Sequence, residues 1–191
     1  MKLSNLIGLL LVVTLLSSCK TSEKETPVQE KKTETVTKTV SKKADHGIVT
    51  KESFVDVKTT MDRLEKIISK KEGIKLFDRI NHAANSRKTG AENVADSELI
   101  IFGNPKVGLK MLSKDPRSGL DLPLKILAYQ AKDGKVYISY RAVSFYNQIY
   151  DLENCEAQGK MNKAINNISD IIIKSPEDFK AFMKKAKATK K

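Results

Sequence analysis

Three side chains of this 191-residue chain have types and settings suited to chemistry: His82, Asn104 and Asp121. An imidazole ordinarily titrates near neutral pH, so His82, at the end of a predicted strand, could give or take a proton. Asn104 sits in a Gly103-Asn104-Pro105 turn, and Asp121 stands just ahead of another predicted strand. Meeting at one edge of a sheet, the three would line a polar pocket that orients a small ligand. In the alternative, catalytic reading, His82 is a general acid or base and Asp121 orients it. The structural reading, which local chemistry favours over the functional one, makes Asn104 a turn former, Asp121 the cap of a local amide and His82 the partner of a buried carbonyl. No cluster of His, Cys, Asp and Glu has ligand spacing, so neither a metal nor another cofactor is expected. The sequence also lacks a glycine-rich phosphate loop, a nucleophile elbow and a zincin motif.

Cysteine chemistry points to location. Lys2, the apolar run Leu6 to Leu16 and the tetrapeptide Leu16-Ser17-Ser18-Cys19 follow one another in the order of an export signal. The run is shorter than the roughly 20 residues a membrane-spanning helix needs. Small residues ahead of a cysteine suit a narrow cleavage site, and the thiol of Cys19 can carry a lipid. The stretch resembles a lipobox, which implies removal of residues 1–18 and a diacylglycerol and palmitate-type anchor on Cys19. The expected address is the extracytoplasmic side of a membrane in a bacterial cell envelope. The second cysteine, Cys155, then has no partner for an intramolecular disulfide, and an idle or buried thiol is expected.

The formal net charge of +12 suggests nucleic acid at first sight, but its distribution argues against it. Residues 20–43 hold seven lysines and four glutamates, and residues 180–191 hold six lysines and no acid. Between them, residues 44–179 carry 21 basic and 19 acidic side chains, so the body is nearly neutral. No basic face with interleaved aromatics is in view, and no nucleic-acid partner is expected. The Lys-, Thr- and Glu-rich stretch 19–45 buries too little apolar surface to fold and reads as a disordered tether.

The elements that must position the three polar residues follow from periodicity. Gly47 to Val55 is β-branched and reads as a strand, and Asp56 caps a helix whose stripe is Val57, Met61, Leu64 and Ile68, ending at Gly73. Strands follow at Ile74 to Asn81, with Ile74, Leu76 and Ile80 on one face, at Glu98 to Phe102, and at Leu122 to Gln130. A further strand holds Val136, Ile138 and Tyr140, and the Lys132-Asp133-Gly134-Lys135 turn makes the last two strands a hairpin. Helical segments are predicted around Phe145 to Leu152 and Ala157 to Ile173. Ser175-Pro176-Glu177-Asp178 then starts a basic amphipathic helix that docks Phe179 and Phe182 on the body or lies on an anionic membrane. The expected fold class is α+β, in the order strand, helix, four strands, helix, with an antiparallel sheet covered by helices on one face.

Three stretches carry a family resemblance: Phe77 to Ala84, Phe102-Gly103-Asn104-Pro105-Lys106-Val107-Gly108-Leu109-Lys110-Met111-Leu112, and Leu120-Asp121-Leu122-Pro123-Leu124-Lys125-Ile126-Leu127. In this order and spacing they resemble blocks of the domain-of-unknown-function 302 family over about residues 46–173. The resemblance implies a TBP-like fold and no particular activity. The family usually has an acid before the histidine, where this chain has Asn81, and threonine after Gly108, where it has Leu109.

The sequence thus divides into a signal (1–18), a lipidated tether (19–45), one domain (46–173) and a basic C-terminal helix (174–191). The function expected of this layout is a membrane-anchored, non-catalytic module that binds a small molecule or a protein partner, with a homodimer as one arrangement.

Overall fold

The first helix forms where its cap predicts, for the Asp56 carboxylate accepts from the Thr59 amide at 2.7 Å and α1 runs Val57–Ile68. Its stripe of Val57, Met61, Leu64 and Ile68 is buried, each side chain contributing about 1.5–3 kcal/mol by leaving water. The computed structural model describes residues 46–188. The expected export signal, Cys19 and the expected tether lie outside the described residues.

Five strands follow the predicted pattern: β1 Ile48–Ser53, β2 Lys75–Asn81, β3 Ser97–Gly103, β4 Leu124–Gln130 and β5 Val136–Arg141. They form one antiparallel sheet in the order β1-β5-β4-β3-β2. The β4–β5 hairpin is the predicted one, with Leu127 opposite Ser139 and Gln130 opposite Val136. Because α1 connects β1 to β2, and these are the two edges, the helix crosses the whole sheet. Alternation sends Ile100, Phe102, Ile126, Ala128, Ile138 and Tyr140 to one buried face. There α1 and α4 (Glu156–Ile172) cover them, α4 burying Ile165, Ile168 and Ile172. The Tyr140 hydroxyl donates to Asn166 at 2.7 Å, fixing α4 to β5. The expected α+β class with helices on one sheet face is what the chain adopts.

Three expectations about elements need correction. Two short helices interrupt the run of four strands: α2 (His82–Lys88) and α3 (Pro105–Leu112). The segment predicted helical at Phe145 to Leu152 is a 3-10 turn over Val143–Gln148, and a second such turn spans Pro116–Leu120. Finally, β2 does not keep Leu76 and Ile80 on one face. A bulge between Leu76 and Asp78 leaves Phe77 unpaired, so Leu76 lies opposite Phe102 and Ile80 opposite Leu99.

One polar network sits where β2 meets α1. The Arg79 guanidinium donates to Glu98 (2.8 Å), Asp62 (2.7 Å) and Glu65 (3.0 Å). Burial works to lower its pKa, but hydrogen bonds to Asp62, Glu98 and Glu65 outweigh burial and raise it. Asn81 completes the network by donating to Glu98 at 3.0 Å while its Oδ1 accepts from the Ala84 amide at 2.7 Å and caps α2. An ionised aspartate could cap the helix but could not donate to Glu98, which accounts for the amide at this position.

Register defines two ends of the sheet. Ile48, Arg141, Leu124, Gly103 and Lys75 lie at one end; Ser53, Val136, Gln130, Ser97 and Asn81 lie at the other.

Candidate functional site

The predicted convergence of His82, Asn104 and Asp121 does not occur. His82 opens α2 directly after Asn81, at the Ser53 end, whereas Asn104 and Asp121 follow β3 and precede β4 at the Ile48 end. Strands of this length separate the two ends by roughly 20 Å. His82 is exposed, and its carbonyl accepts from the Ser86 hydroxyl at 2.9 Å. The physical reason is topological: antiparallel pairing of β2 with β3 puts the end of one strand beside the start of the next, so Asn81 and Gly103 are at opposite ends. An acid–base pair of His82 with Asp121 is therefore not assembled.

Asp121 belongs to a different cluster. It accepts from the Tyr150 hydroxyl at 2.7 Å, its carbonyl accepts from the Tyr146 hydroxyl at 3.3 Å, and its carboxylate faces Arg141 Nε at 3.3 Å. Burial first, and then the Asp121 hydrogen bond and charge, push the Tyr150 phenol up to about 12; burial likewise raises Tyr146. Both phenols stay protonated and remain donors at neutral pH. Arg141 in turn donates to the His46 carbonyl at 2.8 Å. This arrangement pins the 121–123 loop to β5 and to the start of the body, which is a positioning duty.

What the pinned loop helps to build is an apolar cleft of about 490 Å³. Each wall has a local cause. At the bulge of β2, Phe77 turns into the cleft and remains half exposed. The Asn104 Oδ1 accepts from the Lys106 and Val107 amides at 3.0 and 3.4 Å, and Pro105 takes the first helical position, so α3 begins there. Helical spacing then directs Val107 and Met111 toward the core and leaves Leu109 and Leu112 on the cleft side. The 121–123 loop supplies Leu122 and Pro123, and Met161 of α4 lies at the back. Among the described residues, no ionisable side chain lines this cleft.

A second cleft of about 390 Å³ shares Gly103, Asn104, Leu124 and Met161 with the first and has Lys71, Glu72 and Lys160 among its lining. Asn104 thus stands at the junction of the two. Gly73 is required beside it: its φ is +75°, and a Cβ there would come within 2.7 Å of Asn104 Nδ2. Of the sequence candidates, Asn104 is brought to a cavity, Asp121 supports one from behind, and His82 reaches neither. Sequence reasoning missed Phe77, Leu109 and Leu122 as lining residues, although all three lie in the stretches that carried the family resemblance. Among the described residues, no group of three or more His, Cys, Asp or Glu is placed to hold a metal. Cys155 precedes α4 as its cap residue, partly exposed and without a side-chain hydrogen bond there.

An α+β domain with a five-stranded antiparallel sheet, helices on one face and an apolar cleft at one sheet end is the class defined by these features. The chain belongs to the family Domain of unknown function DUF302, whose model matches residues 49–168. A crystal structure of an uncharacterized conserved protein DUF302 from Bacillus stearothermophilus shares the fold. It is 18% identical, with a TM-score of 0.57 over 67% of this chain and 98% of that one. Among curated proteins, the chain is similar to Fluoride-specific ion channel FluC 1 of Brucella suis biovar 1 (strain 1330), 34% identical over 108 residues. The match covers 56% of this chain and 42% of that protein. Fluoride-specific ion channel FluC 2 of Brucella melitensis biotype 1 matches at 34% identity over 56% of this chain and 39% of its own length. The chain spans about two fifths of the length of these curated relatives. No helix among the described residues is long and apolar enough to cross a membrane.

Proposed function

We propose that the domain is a non-catalytic binding module of the bacterial cell envelope that takes a small, largely apolar molecule into the cleft beside α3. The observation that carries this reading is the lining. All three family-like stretches meet at one cavity of ligand size, and among the described residues that cavity offers apolar contact without an acid, base or nucleophile. Asn104 supplies the polar side chain among the described lining residues, suited to orient a carbonyl or hydroxyl at the junction with the smaller cleft. Leu109 in place of the family's usual threonine makes the mouth more apolar.

The test is a titration of the full chain with a polarity-sensitive naphthalenesulfonate dye, comparing wild type with Gly108→Leu and Leu109→Glu. A Cβ at Gly108 meets only Leu122, at 3.9 Å, so a leucine fills the cleft without straining α3. Leu109 is 62% exposed, so its replacement leaves the core intact. The expected outcome is a saturable phase that weakens about tenfold in each variant, equivalent to about 1.4 kcal/mol, with unchanged melting temperature. Identical dye binding in all three proteins would count against the cleft.

The location half of the proposal rests on Cys19 and the export signal read ahead of it. Radiolabelled palmitate is expected to enter the wild-type chain in bacterial cells and not the Cys19→Ala variant. Equal labelling of the two would remove the anchor.

A further inference from the structure

The C-terminal helix α5 (Pro176–Ala188) lies outside the cleft and outside the family match. Its start is fixed by Ser175, whose hydroxyl accepts from the Asp178 amide at 3.2 Å. Phe179 packs against the core cluster with the Arg63 guanidinium 4.3 Å from its ring centre, and Arg63 also donates to the Ile172 carbonyl at 3.1 Å. Docking through Phe179 sets the rotation of the whole helix. Phe182, Met183 and Ala186 then face Ile67, Lys70 and Lys71 at the end of α1 across a groove of about 440 Å³ that Lys187 also lines. At 3.6 residues per turn, Lys180, Lys184 and Lys187 form one continuous flank beside that groove. All three are exposed, as is Lys71 on the opposite lip.

Among the described residues no acid lines the groove; the acids of α5, Glu177 and Asp178, are confined to its first turn, and Glu72 lines the cleft on the other side of α1's end. The place is informative too. Helix α1 starts beside the end of β1 and finishes beside the start of β2, so the lysine groove lies at the Ile48 end of the sheet, on the side of its β2 edge, while residue 46 enters at the same end beside the β1 edge.

We propose that this lysine-lipped groove is a docking surface for the anionic phospholipid headgroups of the membrane that holds the chain. The ammonium groups of Lys180, Lys184 and Lys187 on the flank of α5, with Lys71 across the groove, complement a sheet of phosphodiester charges, and the Phe179 contact keeps the helix on the body while its flank faces outward. Each lysine close to an anionic surface contributes about fivefold in partitioning, so the set gives a surface preference without inserting the helix. The proposal rests on the membrane location read from Cys19 and not on the cleft's ligand.

The experiment reconstitutes the full chain into vesicles of phosphatidylcholine alone or of phosphatidylcholine with phosphatidylglycerol, and follows amide hydrogen exchange along α5 and the end of α1. Reconstitution supplies the membrane directly, so failure of this surface is read separately from failure of palmitate labelling. Exchange in residues 180–188 is expected to slow in the anionic vesicles only. The slowing should disappear in about 0.5 M salt, where screening shortens the reach of each charge. It should disappear as well in a Lys180→Glu, Lys184→Glu, Lys187→Glu variant, whose exposed substitutions leave the melting temperature unchanged. Equal exchange in the two kinds of vesicle, a comparison that needs no variant, would overturn the proposal. So would protection that survives the triple reversal.

Discussion

Replacing Arg79 with alanine is expected to remove about 3–5 kcal/mol of stability, an effect measurable by urea unfolding of the full chain. The magnitude follows from what is left behind. The Glu98 side chain is 9% exposed and would keep only the Asn81 amide as partner. Asp62 and Glu65, now without the cation they share, would face it from α1. A buried carboxylate stripped of its charge partner is destabilising because burial has already removed its water. Glu98→Gln in the Arg79→Ala background should therefore recover part of the loss, since a neutral amide costs less to bury. Asp62→Asn alone should cost under about 1 kcal/mol, because Asp62 is half exposed and its pair with Arg79 is solvent-screened. A loss below about 1 kcal/mol for Arg79→Ala would mean that Glu98 rehydrates or protonates freely, and the network would not be what clamps α1 onto β2.

Phe102→Ala is expected to cost a further class of stability, about 3–5 kcal/mol, by leaving a hole rather than a charge. Phe102 is 1% exposed, sits on the core face of β3 and also lines the smaller cleft. Truncation would join the core void to that cleft, so the same variant should bind the naphthalenesulfonate dye more strongly while unfolding at lower urea. Phe102→Leu, which keeps most of the volume, should lose less than half as much. If Phe102→Ala unfolded earlier with no gain in dye binding, the void would have collapsed, and the smaller cleft would not communicate with the core.

Much of the fold was legible because local signals and tertiary packing agreed. Asp56, the Ser175-Pro176 start and the Asp133-Gly134 turn each did in space what their residue types predict. The two helices that were missed had start signals of the same kind. Asn104-Pro105 is a cap followed by a proline at the first helical position, but Gly-Asn-Pro also spells a turn, and the eight-residue helix that follows offers too little periodicity to decide between them. Asn81 caps α2, but it also ends a strand, and a seven-residue helix offers too little periodicity to outweigh that. The candidate site was less legible for a different reason. Which strand ends come together depends on pairing order, and no local pattern states that β5 lies between β1 and β4. The chemistry sought in His82 and Asp121 needed that order, whereas the apolar lining at Phe77, Leu109 and Leu122 resembles ordinary core when met one residue at a time.

The position of β1 constrains the order in which the molecule can assemble. Its neighbour is β5, and the paired hydroxyls of Thr50 and Ser139 are 89 residues apart along the chain. The β2–β3 and β3–β4 pairs close far shorter loops and can form while the chain is still being made. Of the described strands, the first to emerge therefore waits longest for its partner, with its backbone donors and acceptors open until β5 arrives. Anything that holds residues 46–53 away from β5 during that interval delays closure of the sheet, and a chaperone for this domain would find its most persistent unpaired strand there.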